Sequence, residues 1–415
     1  MAQTIVEKII SSHAGKAVHA GELVVARVDT AMASDTTAPL AIKAFKSMGG
    51  KTVWDPKRCI LVIDHAAPAP NERIANLHLM MREFAREQKC VLFEAGAGIC
   101  HQLMIEKHIA RPGQIIAGAD SHSTSYGAIG ALGTGVGSTD LAAVLLTGKI
   151  WLKVPETIKI EIKGHMPEGL QSKDLILTVL RETGIAGANY QSMEFSGEAI
   201  SRLSLAGRIT LANMMIEAGA KTGFVHPAGL ALPYEFTQVL PDRDAVYQRT
   251  INIDAAGLQP MVSRPHSPDN VVPVVEVEGR PIHYAFIGTC VNGRLEDLQV
   301  AARILKDARI HSSTRLTIGP ASRQVFLDAV KDGTAEILTA AGATFIPPGC
   351  GPCVGTHSGV PGDHEVVISA ANRNFKGRMG NPNANIYLAS PATVAASARE
   401  GKITNPLKYF RNYNQ

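Results

Sequence analysis

Two cysteines three residues apart, Cys350 and Cys353, lie in the run Pro-Pro-Gly-Cys-Gly-Pro-Cys at 347–353. Proline removes a backbone donor and glycine loosens the chain, so this run suits neither a helix interior nor a central strand. A tight loop of this kind lets two sulfurs converge on one metal ion or cluster. A pair cannot complete such a site. Cys290, in Gly-Thr-Cys-Val-Asn-Gly-Arg at 288–294, offers a third thiol just past an apolar run. Three thiolates on an iron–sulfur cubane would leave one iron open as a Lewis acid, whereas clusters that only carry electrons usually have four. Other chemistry fits the same residues. His357, four after Cys353, would complete a Cys3His zinc site, and Cys-x-x-Cys also occurs in redox dithiols. An electron carrier would need Cys59, Cys90 or Cys100 as a fourth ligand. Spacing alone leaves cluster, zinc and no metal open.

A second group of residues could move protons. Asp64 and His65 close the apolar run at 59–63, His101 follows the run at 91–93, and Gly-Ala-Asp-Ser-His-Ser-Thr at 118–124 follows the run at 114–117. A carboxylate beside an imidazole fixes its tautomer and tunes its pKa. One such pair usually serves structure, but three at corresponding strand ends point to proton transfer. Asn213 and Glu217, four apart within the apolar stretch 210–220, are expected on one helix face, with Glu217 as a buried functional carboxylate. The segment 370–378 gathers Arg373, Lys376 and Arg378 with Asn372 and Asn374, a composition suited to forked contacts with a carboxylate substrate.

The elements that must hold these groups read as alternating strands and helices. Short β-branched runs at 59–64, 91–93 and 114–117 have the character of parallel strands buried on both faces, and open α/β sheets bind ligands at strand C-termini. Helices are expected over about 72–88, from Ser138 onward, over 172–183 with Ser172 as cap, and over about 296–306, 322–331 and 391–400. The glycine-rich run 127–137 lacks the Gly-Lys-Ser/Thr ending of a phosphate loop, so a close-packed or flexible loop on the substrate side is expected there. The Pro-rich segment 264–273 reads as a linker. The fold class is therefore α/β with three domains, at 1–155, 156–273 and 274–415.

At 415 residues, with 45% hydrophobic and 19% charged, the chain has the makeup of a globular enzyme. A formal charge of +4 without a basic tract argues against nucleic acid. No run reaches membrane-spanning length and the first residues lack a signal-like apolar core, so a cytoplasmic location with no membrane partner is expected.

Taken together and in order, the motifs at 118–124, 288–294, 348–353 and 372–378 resemble those of the aconitase superfamily, in particular the large subunits of its short microbial dehydratases. The resemblance covers essentially the whole chain, and it lifts a cluster above zinc. It implies three aconitase-type domains and one [4Fe–4S] cluster per subunit, held by Cys290, Cys350 and Cys353, with Asn372 beside it. It implies acid–base pairs of Asp64 with His65, His101 with Asp120, and His122 with Glu217, His65 protonating the departing hydroxyl. Ser34, Asp35, Ser121, Asn213, Arg373 and Arg378 are the implied substrate-binding positions. Val291 stands where the family usually has Thr, and Ser34 where aconitases proper have Gln, which argues against citrate. A small di- or tricarboxylate of malate type, with isopropylmalate favoured over homoaconitate, citraconate-type and dimethylmalate substrates, is the implied substrate. The swivelling fourth domain is expected on a separate small subunit.

Overall fold

Runs of Ile, Leu, Val and Ala without polar alternation need cover on both faces, which a parallel sheet flanked by helices provides. The computed structural model, describing residues 2–410, builds three such layers. The first is a five-stranded parallel sheet in the spatial order Val91–Phe93, Cys59–Val62, Thr30–Ser34, Ile115–Gly118 and Leu132–Gly135. Helices Ile5–Ala14, Ala38–Ser47, Glu72–Gln88 and Ser138–Thr147 accompany it, and Phe45 meets Phe84 edge to face between two of them. A two-stranded antiparallel ribbon, Leu23–Arg27 with Lys149–Lys153, lies alongside.

Strands Thr222–Val225, Ser192–Ser196, Thr157–Lys163 and Arg249–Asp254 form a second, parallel sheet. The third has seven strands, five of them parallel, with Tyr284–Gly288 between Val366–Ser369 and Arg315–Gly319. Met261–Ser263 and Val271–Pro273 pair antiparallel at its edge. The segment 264–273, expected as a linker, is thus the turn and return strand of a hairpin; Pro265 and Pro268 lie in the turn and Pro273 ends the strand.

Two local expectations are corrected. Gln171, not Ser172, caps helix Ser172–Thr183, through a reciprocal box with Asp174. Helix Leu205–Met214 stops before Glu217 and tightens into a 3-10 turn over Met215–Ala218, so Asn213 and Glu217 do not share one helix face. The run 127–137 is close-packed: a Cβ on Gly127 would lie 1.8 Å from the Gly223 carbonyl oxygen. Among the described residues, no helix is long and apolar enough to cross a membrane.

Candidate active site

Most of the site residues sit just beyond the C-terminal end of a parallel strand, while His101 stands on helix Cys100–Glu106 and Asn213 and Glu217 come from helix Leu205–Met214 and the 3-10 turn that follows it. The first sheet delivers Asp35 after Ser34, Asp64 and His65 after Val62, and the 3-10 segment Ser121–Ile129 with its cap Asp120 after Gly118. The third sheet delivers Cys290 after Gly288, Asn372 and Arg373 after Ser369, and the Cys350 loop after Phe345. Gly351, with φ 56°, lets the chain turn between Cys350 and Cys353; a Cβ there would lie 2.4 Å from Ile346 Cδ1. The two sheets meet where the Cys350 N–H donates to the Asp64 carbonyl at 2.8 Å.

Asp120 is the hub of the imidazoles. Its carboxylate is 2.8 Å from His101 Nε2, 3.2 Å from His65 Nε2 and 3.6 Å from His122 Nδ1. His65 Nδ1 is 2.8 Å from Asp64 Oδ1, and His122 Nε2 is 2.9 Å from Glu217 Oε1. The three pairs read from the sequence are therefore hydrogen-bonded, and the shared carboxylate links them into one network. Burial opposes charge on His65, but the pull of Cys350 and Asp64 and the hydrogen bonds of Asp120 and Asp64 outweigh it and hold the imidazole pKa well above its usual value. Desolvation works against charge on Asp120 as well, yet its three histidines keep its carboxyl well below the ordinary range.

The thiols are buried and supported by donors. Asn213 Nδ2 lies 3.1 Å and Asn372 Nδ2 3.5 Å from Cys290 Sγ, and Arg378 approaches Cys353 Sγ at 3.6 Å. Burial pushes the Cys290 thiol up to about 12, and Cys350 upward as well, so thiolates here call for a cation. One zinc ion would need four donors spaced about 3.8 Å apart at Zn–S bonds near 2.3 Å. Among the described residues, the one group of three whose ligand atoms all lie within 4.8 Å of one another is Asp64, His65 and Cys350, and two of these are hydrogen-bonded together. His357 is turned to the Ala67 carbonyl at 3.1 Å instead. Three thiols on two loops, too far apart for one ion and fed by amide and guanidinium donors, suit a larger anionic cluster.

A cleft of about 900 Å³ opens beside them, lined by Thr36, Thr37, His65, Asp120, Ser121, His122, Arg373 and Arg378. Arg373 Nε is held 2.8 Å from Glu217, which leaves its terminal nitrogens for a ligand. Buried Arg378 Nε has no protein partner. The cleft is matched to an anion.

Three of the expected substrate-binding positions have partners within the protein. Asp35, 3% exposed, accepts from the Asp64, His65 and Ala66 N–H groups at 3.1, 2.8 and 2.8 Å and pairs with His78 Nε2 at 3.1 Å. The Ser34 hydroxyl is enclosed by those of Thr36 and Thr37. Asn213 is taken up by Ser125, Cys290 and Asn372. These contacts give all three a part in shaping the site.

A family model described as "Aconitase family (aconitate hydratase)" matches residues 7–237 and 275–401. The chain belongs to the aconitase family. Among its curated aconitase-family relatives, 3-isopropylmalate dehydratase large subunit 1 of Methanopyrus kandleri is 48% identical, covering 99% of this chain and 100% of that protein. The probable methanogen homoaconitase large subunit of Methanosarcina mazei is 52% identical over 92% of this chain and 99% of its own length. Among solved structures, aconitase X of Thermococcus kodakaraensis superposes with a TM-score of 0.52 at 14% identity, covering 90% of this chain and 94% of the other. That likeness concerns the aconitase-type fold alone.

Sequence reasoning missed three residues of this aconitase-family site. His78 stands on the buried face of helix Glu72–Gln88, where one polar residue in an apolar stripe carries no mark of its partner. Tyr126, fully buried, meets His101 Nδ1 at 3.1 Å and fixes the far side of that ring. Lys173 is fully buried and donates to the carbonyls of Ala370 and Ala371, at 3.0 and 2.6 Å, just before Asn372 and Arg373. Burial lowers its pKa to about 7.

Proposed function

We propose that this chain is the large, catalytic subunit of an iron–sulfur hydro-lyase that isomerises 2-isopropylmalate and 3-isopropylmalate by dehydration and rehydration. The observation that carries the reading is the convergence of Cys290, Cys350 and Cys353 with His65, Arg373 and Arg378 beside one cleft. Cys290, Cys350 and Cys353 would hold a [4Fe–4S] cluster, with Asn213, Asn372 and Arg378 as donors to the sulfurs. When bound, such a cluster supplies a Lewis-acidic iron with an open coordination position.

The protein residues supply position and protons. Arg373 and Arg378 fork onto the carboxylates of the diacid, Glu217 fixing the Arg373 guanidinium. His65, its Nδ1 anchored on Asp64, offers a proton at Nε2 and passes it to the departing hydroxyl. Asp120 accepts a hydrogen bond from that same nitrogen before substrate arrives and keeps the imidazolium charged. His122, held by Glu217, lines the same cleft. Readdition of water at the neighbouring carbon reverses these steps.

The names of the relatives support a separate small-subunit partner, on which we place the base that removes the carbon-bound proton. The 52% identity to a probable homoaconitase large subunit supports homoaconitate as a second candidate substrate. Turnover of both substrates by the cluster-loaded chain plus a small subunit, followed through ultraviolet absorbance of the unsaturated acid, tests the assignment. Isopropylmalate should be consumed faster. Turnover of homoaconitate alone would transfer the assignment, and full activity without the partner would refute the two-subunit reading.

A further inference from the structure

Two cysteines outside the site stand as neighbours. Strands Cys59–Val62 and Val91–Phe93 run parallel in the register Ile60 with Val91, Leu61 with Leu92 and Val62 with Phe93. One step back along both lie Cys59 and Cys90, on the same side of the sheet. Adjacent strands are about 4.8 Å apart, within the roughly 4.4–6.8 Å Cα separation that a disulfide bridges. The two thiols are close enough for each to shift the other's proton affinity.

Their surroundings divide the roles. Cys59 is 1% exposed, whereas Cys90 is only half-buried. Cys90 leads into the outermost strand of its sheet, directly after Lys89, which ends helix Glu72–Gln88 in the left-handed region at φ 58°. Donation from the Cys59 S–H draws the Cys90 pKa below its ordinary value against the effect of burial, while Cys59 is driven up by the same bond and by burial. The reachable sulfur is thus the more acidic, and the thiolate is the reactive form. Both lie at the N-terminal ends of strands whose other ends face the cleft, so this pair is separate from Cys290, Cys350 and Cys353.

We propose that Cys59 and Cys90 form a thiol–disulfide exchange site for small disulfides such as glutathione disulfide. The Cys90 thiolate attacks one sulfur of the disulfide and expels the other as a thiolate. Cys59 attacks Cys90 Sγ and expels the second thiolate, which takes up the Cys59 proton to leave as a thiol. The balance is two protein thiols and one external disulfide in, one protein disulfide and two external thiols out. The bridge closes the loop 59–90 around the helix that carries His78.

The test uses the cluster-loaded chain, held without oxygen and equilibrated with glutathione disulfide, then alkylated and peptide-mapped. The wild type should yield peptides joined through Cys59 and Cys90, lighter by two hydrogens and separated again by reduced glutathione. Cys59→Ser should stop at glutathione on Cys90, and Cys90→Ser should leave Cys59 unreacted. Wild-type Cys90 left free, Cys90 carrying glutathione beside a free Cys59, or reaction of Cys59 in Cys90→Ser would each overturn the proposal.

Discussion

Asp35→Asn probes how the site is held while leaving the side chain's shape intact. The carboxylate takes the N–H groups of Asp64 and His65 on Oδ1, and that of Ala66 with His78 Nε2 on Oδ2. It is buried, which works against charge, yet the His78 hydrogen bond, His65 and two of these N–H groups keep its carboxyl well below the usual range. In the amide, Oδ1 can keep its two partners at neutral strength, a loss of about 1 kcal/mol each. The amide nitrogen then faces the Ala66 N–H, which is left unsatisfied at a cost of about 1–3 kcal/mol. His78 can offset its part by changing tautomer. The sum is about 3–5 kcal/mol against a folding stability of about 5–15 kcal/mol. Chemical denaturation should show that loss. In the assembled enzyme kcat should fall by about tenfold or more, since displacing a group by about 1 Å costs about a hundredfold, with KM less affected. The sign against pH follows from the lowered pKa: the stabilisation from Asp35 is present above the ordinary carboxylate range and is lost as pH falls from that range through the lower folded value. A variant within about 1 kcal/mol of wild type, or one that raises KM alone, would refute a holding role and favour substrate contact.

Other outcomes follow from the same geometry. Glu194, 4% exposed, accepts from the Ile5 N–H and the Tyr247 hydroxyl, and burial raises its pKa to about 7. Its folded value lies above the ordinary 4.5, so stability of about 3 kcal/mol should be lost as pH rises from about 4.5 through about 7; Glu194→Gln should flatten that slope in denaturation midpoints, and an unchanged slope would contradict it. Lys173→Met should leave the Ala370 and Ala371 carbonyls unpaired, loosening Asn372 and Arg373 and lowering both stability, by about 1–3 kcal/mol, and kcat; an unchanged kcat would count against it. Metal analysis separates the ligand sets: Cys290→Ser should lose most of the bound iron and His357→Ala none of it.

Much of the site was legible because its chemistry lies in short runs. The Cys-x-x-Cys loop, Cys290 and the three histidines at strand ends could be read from residue type and position, since parallel strands deliver their C-terminal loops to one place. Glu217 came with its partner only through resemblance, because nothing local ties it to His122, 95 residues away. The protein partners of Asp35 and Asn213 are hidden for a related reason: sequence marks a polar residue at a site, but only packing tells which backbone and side-chain groups its atoms hold. His78, Tyr126 and Lys173 were invisible, each a polar tip on an otherwise buried element. The prolines of 264–273 suggested a linker, but they interrupt a hairpin at the sheet edge, where proline is tolerated.

The central claim is that three thiolates hold a cluster with one open iron. Anaerobic iron and sulfide reconstitution, followed by metal analysis and electron paramagnetic resonance before and after mild oxidation, tests it most directly. Four irons per chain, one lost on oxidation to leave a three-iron signal, is the predicted result. A colourless chain with one zinc, or a cluster that keeps all its iron through the oxidation, would contradict it.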